Sequence, residues 1–217
     1  MDISSCIEHT NLKPEATPAD IEQLCREARE YHFGAVCVNS SYVQLAHHLL
    51  AGSTVHISCV VGFPLGAMAT KSKAAETAEA VASGADEIDM VMSIGRAKAG
   101  DWDYVTDDIR QVVTAAAGHA VKVILETGLL TENEKVRACQ AAVAAGAAFV
   151  KTSTGFGHGG AVIADVQLMK RTVGGNARIK ASGGIRDYAT AAAMLAAGAD
   201  RLGTSSGVSI IQGARHD

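Results

Sequence analysis

Short apolar runs alternate along the chain with longer stretches in which apolar residues recur every three or four positions. The runs read as strands of a parallel sheet, because a strand covered on both faces has no polar side to show. The longer stretches read as amphipathic crossover helices. Eight runs fit the strand pattern, at residues 6–9, 35–38, 56–61, 87–90, 121–126, 149–151, 178–181 and 201–203. Thr17-Pro18 opens the first helix, with Thr as cap and Pro at the first helical position. Ile21, Leu24, Cys25 and Ala28 form its apolar stripe. Thr131 and Glu134 have the spacing of a capping box, in which each side chain satisfies the other's free backbone N–H. Val162, Val166, Met169 and Val173 repeat at helical spacing before the seventh strand.

An internal echo supports the count. Gly-Ala occurs at Gly34-Ala35, Gly84-Ala85, Gly146-Ala147 and Gly198-Ala199, just ahead of strands two, four, six and eight. Each glycine is expected to take the left-handed conformation that ends a helix. No linker or low-complexity stretch interrupts the alternation, so residues 1–217 are expected to form one α/β domain. An open, doubly wound sheet would also explain the alternation. The (β/α)8 TIM barrel is preferred, because polar residues stand at strand ends from first to last. Only a closed barrel gathers all of those ends around one mouth.

Composition narrows the class. With 48% hydrophobic, 19% charged and 4% aromatic residues, the core must be built from Ala, Val, Ile and Leu. A net charge of −4 offers no basic face for nucleic acid. A small anionic ligand needs only a local positive pocket. Five dispersed cysteines without a Cys-x-x-Cys fit neither a disulfide framework nor a zinc site, and point to a reducing, cytoplasmic setting. The opening Met1-Asp2-Ile3-Ser4-Ser5 has no signal-peptide pattern, and the longest apolar run, 141–150, is too short to span a membrane. The histidines show no ligand spacing, so no metal is expected.

Two lysines carry the candidate chemistry. Lys151 and Lys180 each sit where an apolar strand meets a loop of small residues. One such lysine would ordinarily be a solvent-facing strand end. Two on consecutive strands, about 4.8 Å apart, would share one mouth. Their mutual repulsion would favour an unprotonated amine, which attack on a carbonyl requires. Asp89 lies inside an apolar strand, on one face with Glu87, and is costly there unless paired. It reads either as a structural ion-pair partner or as a proton shuttle for the lysines. Lys122 and Glu126 are expected on one strand face in the same polar interior, with Glu8 and His9 at the end of strand one.

Three small-residue loops follow strands six, seven and eight: 152–157, 182–186 and 203–207. Their backbone N–H groups suit a phosphate, although tight barrel turns would also use such residues. The stretch Gly155 to Gly160 matches G-x-G-x-x-G. It lies outside the first strand–helix–strand unit, and Lys180 stands where a dinucleotide site needs an acid, so that reading is rejected. His158 is expected to be a loop residue.

Taken together, Ile7-Glu8-His9-Thr10-Asn11, Val36-Cys37-Val38-Asn39, Val61-Gly62-Phe63-Pro64-Leu65-Gly66, Glu87-Ile88-Asp89-Met90, Val150-Lys151-Thr152-Ser153-Thr154-Gly155 and Ile179-Lys180-Ala181-Ser182-Gly183-Gly184 resemble the deoxyribose-phosphate aldolase family. The similarity runs over nearly the whole chain. It implies a class I aldolase that cleaves 2-deoxy-D-ribose 5-phosphate reversibly to D-glyceraldehyde 3-phosphate and acetaldehyde, with no cofactor. It implies Lys151 as the Schiff-base nucleophile, and Asp89 and Lys180 as proton donor and acceptor. It puts Gly155, Gly183, Gly184, Ser205 and Ser206 at the phosphate, with Cys37 near the pocket. The implied partners are the phosphosugar and small aldehydes; relatives are often homodimers, and the role is deoxynucleoside breakdown in the cytoplasm. Glu8, Ser40 and Ser93 depart from the family's usual Asp, Pro and Asn, and the longer Glu8 bears on the proton relay. The chain stops at Asp217, so a tail closing over the substrate is not expected. Another lysine-dependent aldolase, a phosphosugar isomerase or a non-catalytic phosphosugar-binding barrel are the competing readings.

Overall fold

The computed structural model describes residues 3–157 and 159–213. Eight parallel strands close into a barrel in chain order, with β8 pairing back onto β1. The strands are β1 (Ile7–Thr10), β2 (Ala35–Val38), β3 (His56–Val61), β4 (Glu87–Val91), β5 (Ala120–Ile124), β6 (Phe149–Lys151), β7 (Arg178–Ser182) and β8 (Arg201–Thr204). The helices are α1 (Pro18–Glu30), α2 (Val43–Leu49), α3 (Thr70–Ala82), α4 (Ile94–Lys98), α5 (Trp102–Ala115), α6 (Glu132–Ala144), α7 (Ile163–Val173), α8 (Tyr188–Ala196) and α9 (Gly207–Gly213). This is the (β/α)8 architecture expected from the sequence. His158 and Asp217 lie outside the described residues.

All eight apolar runs are strands, with shifted ends. Cys6 belongs to a short 3-10 turn, and β1 runs on to Thr10. The fifth strand stops at Ile124. Glu126 follows with φ 57° and ψ 62°, a left-handed conformation that breaks the pleat. Glu126 therefore does not share a strand face with Lys122, and the expected pairing of those two is corrected.

Helix starts follow the sequence closely. Thr17 and Thr131 both form capping boxes, with Asp20 and Glu134. The four apolar residues assigned to α1 are buried against the barrel. In α7, Val166, Met169 and Val173 are buried, while Val162 precedes the helix as its cap and is half-exposed. Three of the four echoing glycines take positive φ: Gly84, Gly146 and Gly198. Gly34 does not. There the left-handed residue is His32, at φ 55°. Gly34 is needed because a Cβ would run into the Ser5 carbonyl.

The two faces of the sheet have opposite chemistry. Ile57, Cys59, Ile88, Met90, Val121, Val123 and Val150 are buried in the apolar layer with the helix residues. The alternate residues meet across the barrel. Glu8 on β1 touches Lys122 on β5, and Asp89 on β4 touches Lys180 on β7. Such contacts between non-adjacent strands place these side chains inside. A charged interior is tolerated only when each charge has partners, and here the partners are one another.

Candidate active site

Asp89 is the hub of the interior. Its Oδ1 accepts from Ser58 Oγ at 2.8 Å and Lys122 Nζ at 3.0 Å. Its Oδ2 accepts from Lys151 Nζ at 2.6 Å and Lys180 Nζ at 2.7 Å. Lys151 and Lys180 are direct register partners on β6 and β7, which brings both amines to one oxygen. Lys180 also donates to Glu8 Oε2, and Lys122 reaches the same oxygen at 3.3 Å.

These contacts set the charges. Burial opposes ionisation of Asp89, but Lys122, Lys151 and Lys180 outweigh it and hold the carboxyl well below its ordinary range. Burial likewise opposes the charge on Lys180, but Asp89 and Glu8 raise that ammonium well above its ordinary value. Glu8 is lowered and Lys122 raised, in each case by opposite charges that overcome burial. The sequence reading had two lysines repelling each other in a shared mouth. The structure instead places Lys180 beneath the mouth, fixed as a cation by two carboxylates.

Above this cluster lies a cavity of about 420 Å³. Lys151 is on its wall; Asp89, Lys122 and Lys180 are fully buried below. Gly155, Gly183, Gly184 and Ser205 also line it, with Arg186 and Lys13. Gly183 has φ 94°, and a Cβ there would press on Gly160 Cα at 3.0 Å. Ser206 does not reach the wall. Its N–H donates to Thr204 Oγ1 and its carbonyl accepts from Ile210 N as the chain turns into α9. Cys37 is buried within the barrel beside Leu12 and Val60, and burial pushes its thiol up. The loops after β6 and β7 are stitched together: Thr152 Oγ1 donates to Ser182 O, and Ser182 Oγ to Ser153 O.

Two features escaped the sequence reading. Ser58 sits in an apolar run, where a single hydroxyl at an inward position opposite Glu87 was the available signal. The second is the partner of His9: expected with Glu8 in the polar interior, His9 instead pairs with Glu27 Oε2 on α1 at 2.7 Å, at the cavity edge, and that expectation is corrected. Among the described residues, no cluster of His, Cys, Asp or Glu is arranged to hold a metal ion.

One lysine opening on a cavity, a carboxylate hydrogen-bonded to it and a second lysine paired with the same carboxylate form a set suited to addition at a carbonyl. A (β/α)8 barrel with that set at its mouth has the frame of an aldolase. The chain belongs to the DeoC/LacD family of aldolases, whose model matches residues 4–213. It is 60% identical to a deoxyribose-phosphate aldolase of Bdellovibrio bacteriovorus, over 98% of this chain and 97% of that one. It is 58% identical to a deoxyribose-phosphate aldolase of Thermotoga maritima, over 98% of this chain and 86% of that one. Among solved structures, a tetrameric deoxyribose phosphate aldolase from Aeropyrum pernix superposes with a TM-score of 0.92 at 32% identity, over 98% of this chain and 91% of that one.

Proposed function

We propose that the chain is a deoxyribose-phosphate aldolase that works through an imine on Lys151. The observation that carries this reading is the placement of Lys151: of the three clustered lysines it alone lines the cavity, 2.6 Å from Asp89 Oδ2. In this reading Asp89 takes a proton from the Lys151 ammonium. The free amine adds to C1 of the open-chain sugar aldehyde, and the carbinolamine loses water as Asp89 returns the proton. The C3 hydroxyl then gives its proton to the Asp89 carboxylate, which later returns it at C2, and the C2–C3 bond breaks. Its electron pair flows into the iminium, leaving an enamine on Lys151 and releasing glyceraldehyde 3-phosphate. Protonation at C2 and hydrolysis release acetaldehyde. Lys180, held as a cation, supports the proton transfers with Asp89. Gly155, Gly183, Gly184 and Ser205 hold the phosphate through backbone N–H groups, with Arg186 as counter-charge.

The reading includes breakdown of deoxynucleoside sugars in the cytoplasm and assembly as a homodimer. No helix among the described residues is long and apolar enough to cross a membrane, and the Aeropyrum pernix tetramer shows that relatives associate. Sedimentation tests the dimer.

The chemical test is acetaldehyde with borohydride, followed by peptide mapping. A two-carbon adduct on Lys151 with loss of deoxyribose-phosphate cleavage is expected. Labelling by dihydroxyacetone or pyruvate in place of acetaldehyde would assign a different lysine-dependent aldolase. No adduct and unchanged activity would remove the imine.

A further inference from the structure

The oxygens around Lys122 outnumber its hydrogens. An ammonium has three N–H groups. Lys122 Nζ donates to Glu8 Oε2 at 3.3 Å, Ser58 Oγ at 2.9 Å and Asp89 Oδ1 at 3.0 Å. Glu87 Oε2 stands 2.5 Å from the same nitrogen, yet it lies off the hydrogen-bond direction and has no hydrogen-bond partner. A buried carboxylate oxygen without a donor is rare and calls for an explanation. Glu87 opens β4 two residues before Asp89, on the same inward face, and it does not line the cavity. Its route to the site runs through Lys122.

We propose that Glu87 is a positioning residue for proton traffic at Asp89, acting through Lys122. Lys122 directs an N–H to Asp89 while Asp89 is ionised, and turns it to Glu87 when Asp89 takes the proton of Lys151. This rests on the imine reading of Lys151. The turn needs only rotation of the ammonium, since both oxygens already lie within reach of Nζ. Three lysines (Lys122, Lys151, Lys180) face three carboxylates (Glu8, Glu87, Asp89). Passing a proton from Lys151 to Asp89 removes one charge of each sign. It also takes from Lys122 its strongest hydrogen-bonded anion, and Glu87 is the replacement. Without Glu87, Lys122 stays on Asp89, keeps it ionised and opposes the transfer. The titratable groups around Asp89 are Glu8 on β1, Cys37 on β2, Cys59 on β3, Glu87 on its own strand, Lys122 on β5, Lys151 on β6 and Lys180 on β7. Glu8 Oε1 also lacks a donor, but the Glu8 carboxylate is already engaged by Lys180 and Lys122 through Oε2, whereas the Glu87 carboxylate has its only ion pair among the described residues with Lys122.

The test is Glu87→Gln, close in size but neutral, beside Glu87→Asp, which keeps the charge. Both are compared with the unaltered protein in kcat and KM for deoxyribose 5-phosphate across pH, and in borohydride trapping of acetaldehyde. Glu87→Gln is expected to lower kcat by about tenfold or more and leave KM within about twofold. The acidic limb should move to lower pH, because a firmly held Asp89 takes a proton only in stronger acid. Trapping on Lys151 should still occur, and Glu87→Asp should recover most of the rate. Unchanged kcat and limb in Glu87→Gln would overturn the proposal. So would a lower kcat with the limb unmoved and no recovery by Glu87→Asp. If Glu87→Gln does not fold, Lys122→Arg carries the test. A guanidinium has five donors and can hold all four oxygens at once, so kcat should fall at constant KM, and an unchanged kcat would refute the switch. Absence of trapping in the unaltered protein would instead count against the imine reading itself.

Discussion

Lys151 and Lys180 donate to one and the same oxygen, Asp89 Oδ2, at 2.6 Å and 2.7 Å. Their competition ties the charge on one to the charge on the other. Lys180 is held as a cation by Asp89 and Glu8. Removing it leaves Asp89 to Lys151, which then becomes the ammonium's main partner and holds its proton more firmly. Lys180→Leu should therefore cut cleavage at neutral pH by about a hundredfold or more, with part of the rate returning as pH rises. A pH–rate profile checks this, with circular dichroism to confirm folding. Wild-type turnover at neutral pH would show that Lys180 does not govern the nucleophile.

The same cluster links stability to pH. Asp89 and Glu8 are lowered on folding, so their contribution is present above their ordinary value and is lost as pH falls through the folded value. Lys180 and Lys122 are raised, so theirs is present below about 10.5 and is lost as pH climbs through the folded value. Urea unfolding should show a midpoint that is nearly level between these limits and falls at both ends. A midpoint that rises on acidification below pH 4 would contradict the cluster's charge assignment.

A second buried pair lies outside the barrel. Lys73 on α3 donates to Asp108 Oδ2 on α5 at 2.6 Å and to the Val91 carbonyl at the end of β4 at 3.0 Å, and both side chains are fully buried. Lys73→Met leaves a buried carboxylate without its cation, and should destabilise by roughly 3–5 kcal/mol. The double variant Lys73→Met with Asp108→Leu should recover much of that loss. Calorimetric melting of the set measures it, and a single variant as stable as the parent would show that the pair contributes little.

The barrel was legible because each βα unit declares itself locally. The apolar runs are short, Thr17 and Thr131 are capped within four residues, and the α1 stripe has helical period. Lys151, Lys180 and Asp89 were legible because charge inside an apolar strand is expensive and so needs a reason. Other parts depend on distance across the barrel. Ser58 finds Asp89, and His9 finds Glu27, only after the strands have closed. Lys73 and Asp108 each look like one more polar residue on a helix until α3 and α5 pack together. The end of β5 was misplaced because Ile124-Leu125-Glu126 continues a strand-like alternation, whereas the chain takes a left-handed turn at Glu126 and its carboxylate meets the loop after β6.

Those contacts make Glu126 a clamp. Its carboxylate accepts from Thr154 N at 3.3 Å and from Thr154 Oγ1, and the same hydroxyl accepts from Phe156 N at 3.1 Å. Gly157 lies against the carboxylate, where a Cβ would meet it at 3.0 Å. The clamp thus fixes the loop that presents Gly155 and Phe156 to the cavity, while Lys151 is held separately by Asp89 and the β6 ladder. Glu126→Ala should loosen the phosphate end more than the nucleophile. KM for deoxyribose 5-phosphate is expected to rise about tenfold, equivalent to about 1.4 kcal/mol of lost binding, whereas cleavage of unphosphorylated 2-deoxyribose should change by less than about threefold. Glu126→Gln, which retains one acceptor for Thr154, should fall between. Parallel kinetics on the two sugars decide the matter: equal losses on both would mean that Glu126 supports the whole site and not the loop alone.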